Sequence, residues 1–186
     1  YLRQGSSQSV EVEGQANLIA VLNTEVKDQM WKIKFEERVR NMSQFNIYIT
    51  VPDLEEINVS GSGDIVGRGT FKTNGNLDII VSGSGNIEMD LACADLKSRV
   101  SGSGDIELSG QCEEADLSIS GSGSIGGNDF NCKNASVLIS GSGDVKLNVE
   151  SYLDVSISGS GDVTYGGRPK VKSRISGSGE INHKPF

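Results

Sequence analysis

The side chains able to do chemistry in this sequence recur at fixed intervals. Asp64, Asp105, Asp144, Asp162 and Glu180 each stand directly after a Ser-Gly-Ser-Gly tetrapeptide, with Asn86 and Ser124 in the same place elsewhere. Calcium takes about 6–8 oxygens, carboxylates and backbone carbonyls among them. The known calcium-binding β-roll repeat is a nonapeptide. Here the repeat is about twice as long and offers one acid at a time, which rarely completes a cage. No metal site is therefore assigned to this column. Cys93, Cys112 and Cys132 each lie eight residues before a tetrapeptide. Equal spacing puts the three thiols in one file. A straight file suits tetrahedral zinc poorly, and no His stands near it. In-register neighbours come within disulfide range, but their side chains run alongside one another. Free thiols packed as small residues are favoured over a disulfide or a metal site. The equivalent positions in other repeats, counted back from the tetrapeptide, are Asn74, Glu150 and Arg168, which places the file near a corner rather than deep in the core. His183 is the single His and lies near the C-terminal end, so a Ser/His/Asp site is not expected despite the many serines. No catalytic, cofactor-binding or metal-binding residue is assigned, and no cofactor is expected.

The elements that must position these residues follow from the repeat. The tetrapeptide begins at Ser60, Ser82, Ser101, Ser120, Ser140, Ser158 and Ser176, at intervals of 22, 19, 19, 20, 18 and 18 residues. A β-branched residue precedes each copy: Val59, Val81, Val100, Ile119, Ile139, Ile157 and Ile175. Another stands two residues after each: Ile65, Ile87, Ile106, Ile125, Val145, Val163 and Ile181. Upstream the apolar period is two, as in Ala115, Leu117 and Ile119, which alternate with Asp116 and Ser118. Alternation of that kind marks a half-buried strand. Ser109-Gly110 and the run 126–129 read as turns after a shorter second strand.

Strands at this spacing could build a sandwich or a solenoid. Only a solenoid needs the same bend each time, because every coil lies on the one before. The fold class is therefore all-β, a parallel β-helix or β-solenoid with about 18–20 residues per coil. Gly accepts positive φ and close backbone approach at such a bend. The Ser hydroxyls and the following acid are expected to bond nearby backbone groups.

The chain reads as a single domain over 1–186, with seven coils over 59–186 and a strand-rich N-terminal cap over 1–58. In the cap, Ser9–Glu13, Leu18–Leu22, Trp31–Phe35 and Phe45–Val51 are expected strands. Gly14, Asn23, the run 27–29 and the run 41–43 are expected turns. A cap covers the unpaired edge of a first coil. Trp31 fits that cap's core better than a ligand platform.

Composition narrows the function. The 186 residues carry a net charge of −8, which argues against nucleic acid and against an anionic membrane surface. Glycine is 24 of 186, about twice the average of about 7%, and the seven tetrapeptides hold 14 of them. Aromatic residues make up 5%, with Tyr152 and Tyr165 the best placed in the repeats for a sugar face. Lys97/Arg99 and Lys172/Arg174 take matching outward positions on distant coils and read as solvated faces. The chain opens with Tyr1 rather than Met, so a signal or lipid anchor is expected upstream.

The whole series from Val59-Ser60-Gly61-Ser62-Gly63-Asp64-Ile65 to Ile175–Ile181 resembles the putative auto-transporter adhesin, head GIN domain family. The lead-in resembles it too, in Gln4-Gly5, Val10-Glu11-Val12, Trp31-Lys32-Ile33 and Ile49-Thr50-Val51-Pro52-Asp53-Leu54. So does the late Val163-Thr164-Tyr165-Gly166-Gly167-Arg168-Pro169. The resemblance implies a right-handed parallel β-helix-like fold in exported proteins of Bacteroides-like bacteria, with no catalytic residues to carry over. The expectation is a non-catalytic envelope or surface module, binding protein or glycan through extended strand faces. The alternatives are a carbohydrate-active, polysaccharide lyase-like enzyme on the same fold, or a purely structural envelope protein. A weak expectation of homo-oligomers follows from exposed solenoid ends.

Overall fold

The computed structural model describes residues 1–27, 29–39, 45–73 and 75–184. The lead-in holds β1 (Leu2–Gln4), β2 (Ser9–Glu13), the short helix α1 (Ala16–Ile19), β3 (Val26–Lys27), β4 (Met30–Trp31) and β5 (Asn46–Val51). The coils follow as β6 (Glu56–Gly61), β7 (Ile65–Lys72), β8 (Asn76–Gly83), β9 (Ile87–Gly102), β10 (Ile106–Gly121), β11 (Ser124–Gly141) and β12 (Asp144–Gly159). The last turn holds β13 (Val163–Gly167), β14 (Lys170–Gly177) and β15 (Ile181–His183).

Every coil pairs parallel with the next, and like residues stand on like. Ile106 lies opposite Ile87, Cys112 opposite Cys93, and Gly121 opposite Gly102. The parallel β-solenoid expected from the repeat is the fold. Alternation drives it: Leu117 and Ile119 are buried, Ser118 between them is half-buried, and Asp116 and Ser120 on either side are exposed. The β-branched file before the tetrapeptide is core from Val59 to Ile157, at no more than 7% exposure. Burying each such side chain contributes about 1.5–3 kcal/mol. Ile175, on the last coil, is 46% exposed because no further described coil covers it.

The bend is made by backbone rather than by hydroxyls. The first Gly of each tetrapeptide has positive φ, +130° at Gly102 and +135° at Gly121. A Cβ on Gly104, the second Gly, would strike the carbonyl oxygen of Gly85 one coil below. So the first glycine turns the chain, and from the second coil on both glycines admit the neighbouring coil. Coil-to-coil bonds run from Ser N–H to the preceding Gly carbonyl: Ser103 to Gly83, Ser122 to Gly102 and Ser142 to Gly121, each 2.8 Å. The expected backbone bonds from the tetrapeptide's Ser hydroxyls are not what joins the turns; Ser60 Oγ, for instance, donates to the Asn58 side chain at 3.2 Å.

A second corner breaks the alternation once per coil. Cys112 and Ala115 both face inward, with Glu113 and Glu114 outward between them. On β12 this corner is one residue longer: Glu150, Ser151 and Tyr152 separate the buried Val149 and Leu153. The pairing register shifts there by that extra residue. Gly110 and the run 126–129, expected as turns, lie inside continuous strands at register shifts that make bulges.

The lead-in extends one face of the stack. Strand β1 pairs parallel with β7 and β5, and β2 closes the edge antiparallel to β5. The expected strands Ser9–Glu13 and most of Phe45–Val51 are present. Leu18–Leu22 is not a strand: it begins inside α1, whose backbone is satisfied locally by Ala20 N–H donating to Ala16 O at 3.0 Å. Leu18 is buried at 2% exposure, so its apolar character serves the cap without a partner strand. Of Trp31–Phe35, only Trp31 lies in a strand, in the β3–β4 hairpin, and Phe35 makes a single antiparallel bridge to Leu22. The half-buried Trp31 donates its indole N–H to the Asn23 carbonyl at 2.8 Å. The turn expected over 41–43, and Asp28 of the turn over 27–29, lie outside the described residues.

Candidate functional site

The acidic file is a structural ladder. Asp64 Oδ1 accepts from Asn86 N at 3.1 Å and from Asn86 Nδ2 at 2.9 Å. Asp105 Oδ1 accepts from Ser124 N at 2.8 Å and Ser124 Oγ at 2.7 Å. Asp144 Oδ1 accepts from Asp162 N at 3.0 Å, and Asp162 Oδ1 from Glu180 N at 2.8 Å. Each side chain thus satisfies a backbone donor one coil later, as an N-cap does for a helix. Where Ser124 interrupts the acids, Asp144 N turns to the Gly123 carbonyl at 3.2 Å. These oxygens are spent on the fold.

The three thiols stand in one file as expected, Cys93 against Cys112 and Cys112 against Cys132. All are free and buried, at 8%, 7% and 4% exposure, on the inner side of the second corner. The file continues to Val149 and Gly167, not to Glu150 and Arg168, because the bulges shift the count; Asn74 lies outside the described residues. A hydrogen bond to the Cys112 thiol, then burial, pushes the Cys93 thiol well above its ordinary value. Cys112 is raised likewise, first by its bond to Cys132. Protonated thiols are poor nucleophiles and poor metal ligands.

His183 Nε2 lies 2.8 Å from the Gly167 carbonyl, and its ring is tilted on Tyr165 at 5.2 Å. A carbonyl only accepts, so Nε2 carries the proton. Lys97 and Lys172 do share a file, running Asp78, Lys97, Asp116, Ser136, Asp154, Lys172. Lys172 Nζ contacts Asp154 Oδ2 at 2.7 Å, an exposed pair.

Five coils share one open groove of about 500 Å³ along the second corner. Leu96, Ala115 and Ala135 form part of its floor. One bank follows the file Asn76, Asp95, Glu114, Asn134, Tyr152, and the other carries Lys97, Asp116, Ser136 and Asp154. Asn134 Nδ2 donates to Glu114 Oε1 at 2.7 Å, tying two coils together along the first bank. Sequence reasoning named Tyr152 but not the groove, because the groove needs the corner that the tetrapeptide does not mark.

The fold and its repeated corners define a class of solenoid seen in other proteins. The model of the family described as putative auto-transporter adhesin, head GIN domain, matches residues 1–169, and the chain belongs to that family. A putative adhesin from Bacteroides fragilis is 27% identical, with a TM-score of 0.91 over 99% of this chain and 87% of that one. A putative lipid binding protein from Parabacteroides distasonis is 26% identical, with a TM-score of 0.76 over 98% of this chain and 87% of that one. A putative adhesin from the same species is also 26% identical, with a TM-score of 0.79 over the same shares. No curated protein matches the sequence. Family and neighbours together support an adhesin-like module of the surface or envelope.

Proposed function

We propose that this protein is a non-catalytic module, exported to the envelope or surface, that holds an extended glycan or protein ligand against its strand faces. The observation that carries it is the straight, in-register file of outward side chains, such as Asp78–Lys97–Asp116–Ser136–Asp154–Lys172. Such files offer a repeating surface to a repeating ligand. A lyase-like enzyme would gain support from a deep pocket holding a carboxylate beside an Arg. The carboxylate–cation pair at the groove, Asp154–Lys172, instead lies open to solvent. The banks carry polar and charged side chains above an apolar floor, which suits the mixed faces of a sugar ring.

Purified protein on an array of glycans and host-matrix proteins tests the proposal. Binding to one class that survives washing is the expected result. Silence across the array overturns the adhesive function and leaves a structural role.

A further inference from the structure

We infer that the groove along the second corner is the ligand site, and that its ligand is a neutral, extended oligosaccharide stacked on Tyr152. This rests on the surface-module proposal above and names its site and ligand class. Three independent features meet there. The corner of β12 is one residue longer than its neighbours, and Tyr152 is the last of the three residues in it. A strand irregularity that re-aims one side chain is a common device beside functional sites. Tyr152 lines the groove, half-buried, where a sugar ring can lie on its apolar face.

The second feature is pitch. The banks repeat at the parallel-strand spacing of about 4.8 Å, so Asn76 to Tyr152 spans about 19 Å. That spacing is close to the length of one unit in an extended sugar chain, so successive units meet successive coils. The bank amides donate to and accept from sugar hydroxyls, and the bank carboxylates accept from them. The Asn134–Glu114 bond holds two of them before a ligand arrives, which reduces the ordering cost of binding.

The third feature is charge. Asp95, Glu114, Asp116 and Asp154 line the groove with Lys97, and Lys172 pairs with Asp154, which leaves the groove net negative. Sulfated or uronic acid chains are repelled there. A basic peptide would meet the acids, but it would use neither the tyrosine face nor the amide bank.

Titration calorimetry with chitohexaose and cellohexaose as neutral probes, a heparin fragment of equal length and an oligolysine separates these cases. A neutral probe binds and heparin does not. Tyr152→Ala weakens the neutral probe at least tenfold, about 1.4 kcal/mol, while Tyr152→Phe stays near the parent. The Asp95→Asn, Asp116→Asn double variant removes two of the acids that repel an anionic chain, so it raises the affinity for the heparin fragment above that of the parent. Tyr152 and both aspartates are outside the core, so circular dichroism melts should match the parent. The site is overturned if neither neutral probe binds, or if oligolysine binds and the Asn variant abolishes it. It is also overturned if a glycan binds and Tyr152→Ala leaves its affinity unchanged; adhesion then survives at another face.

Discussion

The coil stack and the lead-in solve the same problem, covering apolar strands, in two ways. In the stack, a residue's neighbour is its counterpart about one repeat away, so Val100 packs under Ile119 and Gly102 under Gly121. In the lead-in, partners are unlike and distant: Val12 faces Ile47, and Leu2 lies between Ile49 and Gly67. The stack is therefore constrained at every turn by the turn below, whereas the lead-in is fitted once. Errors in the stack should propagate, and errors in the lead-in should stay local.

The sharpest break of that contrast uses two equivalent glycines. Gly61 and Gly121 share a φ near +130°, at +123° and +135°. Around Gly61 an added Cβ meets nothing within 4 Å, but at Gly121 it strikes the Gly102 carbonyl. Gly61→Ala should cost only backbone strain, roughly 1–3 kcal/mol. Gly121→Ala should exceed about 4 kcal/mol, in the exceptional range for one substitution. Urea melts of the two variants check this, and equal midpoints would mean the coils do not press on one another.

The next effect compares two aspartates. Asp105→Ala removes the acceptor for two Ser124 donors across coils and should cost about 1–3 kcal/mol. Asp53 Oδ1 bonds only its neighbour Leu54 N, in the exposed lead-in. Asp53→Ala should then cost well under about 1 kcal/mol, because its single bond is to the next residue and ties no second coil. Thermal melts of both variants decide.

Ser98 reverses the sign. It is 1% exposed, and its hydroxyl finds no partner among the described residues. It sits in the file between Ile79 and Leu117. Ser98→Ala should raise stability by about 1 kcal/mol by removing an unsatisfied buried group. A lowered melting point would show an undetected bond there. The smallest effect belongs to Lys172→Ala, below about 1 kcal/mol for an exposed pair. Chemical labelling adds a check without mutation: the buried, protonated thiols of Cys93 and Cys112 should resist a maleimide in the native state and react on unfolding.

The stack was legible because its period is written in side chains. Val59 through Ile175 and the residues after each tetrapeptide point to one corner that must stack. The second corner left no such mark: it is a pair of outward residues, Glu113 and Glu114 on one coil and Lys133 and Asn134 on another, without shared chemistry. Hence the thiol file was found, but its continuation to Val149 was not. The groove also stayed hidden, since it depends on that corner and on the extra residue before Leu153. In the lead-in, Leu18 to Leu22 carry apolar residues at a density that suits either strand or helix. Only the local bonds of α1 decide between them.

The central claim is that seven turns stack in register, so that distance grows with coil number rather than with sequence separation. Glu88, Lys146 and Asn182 share one file, with Lys146 three coils and Asn182 five coils from Glu88. Spin labels at these sites, in a background with the native cysteines replaced by alanine, allow electron–electron distance measurement. The backbone separations should be about 14 Å for Glu88–Lys146 and about 24 Å for Glu88–Asn182, each broadened by the label. Equal distances, or a shorter one for Glu88–Asn182, would contradict the stacked solenoid and the groove built on it.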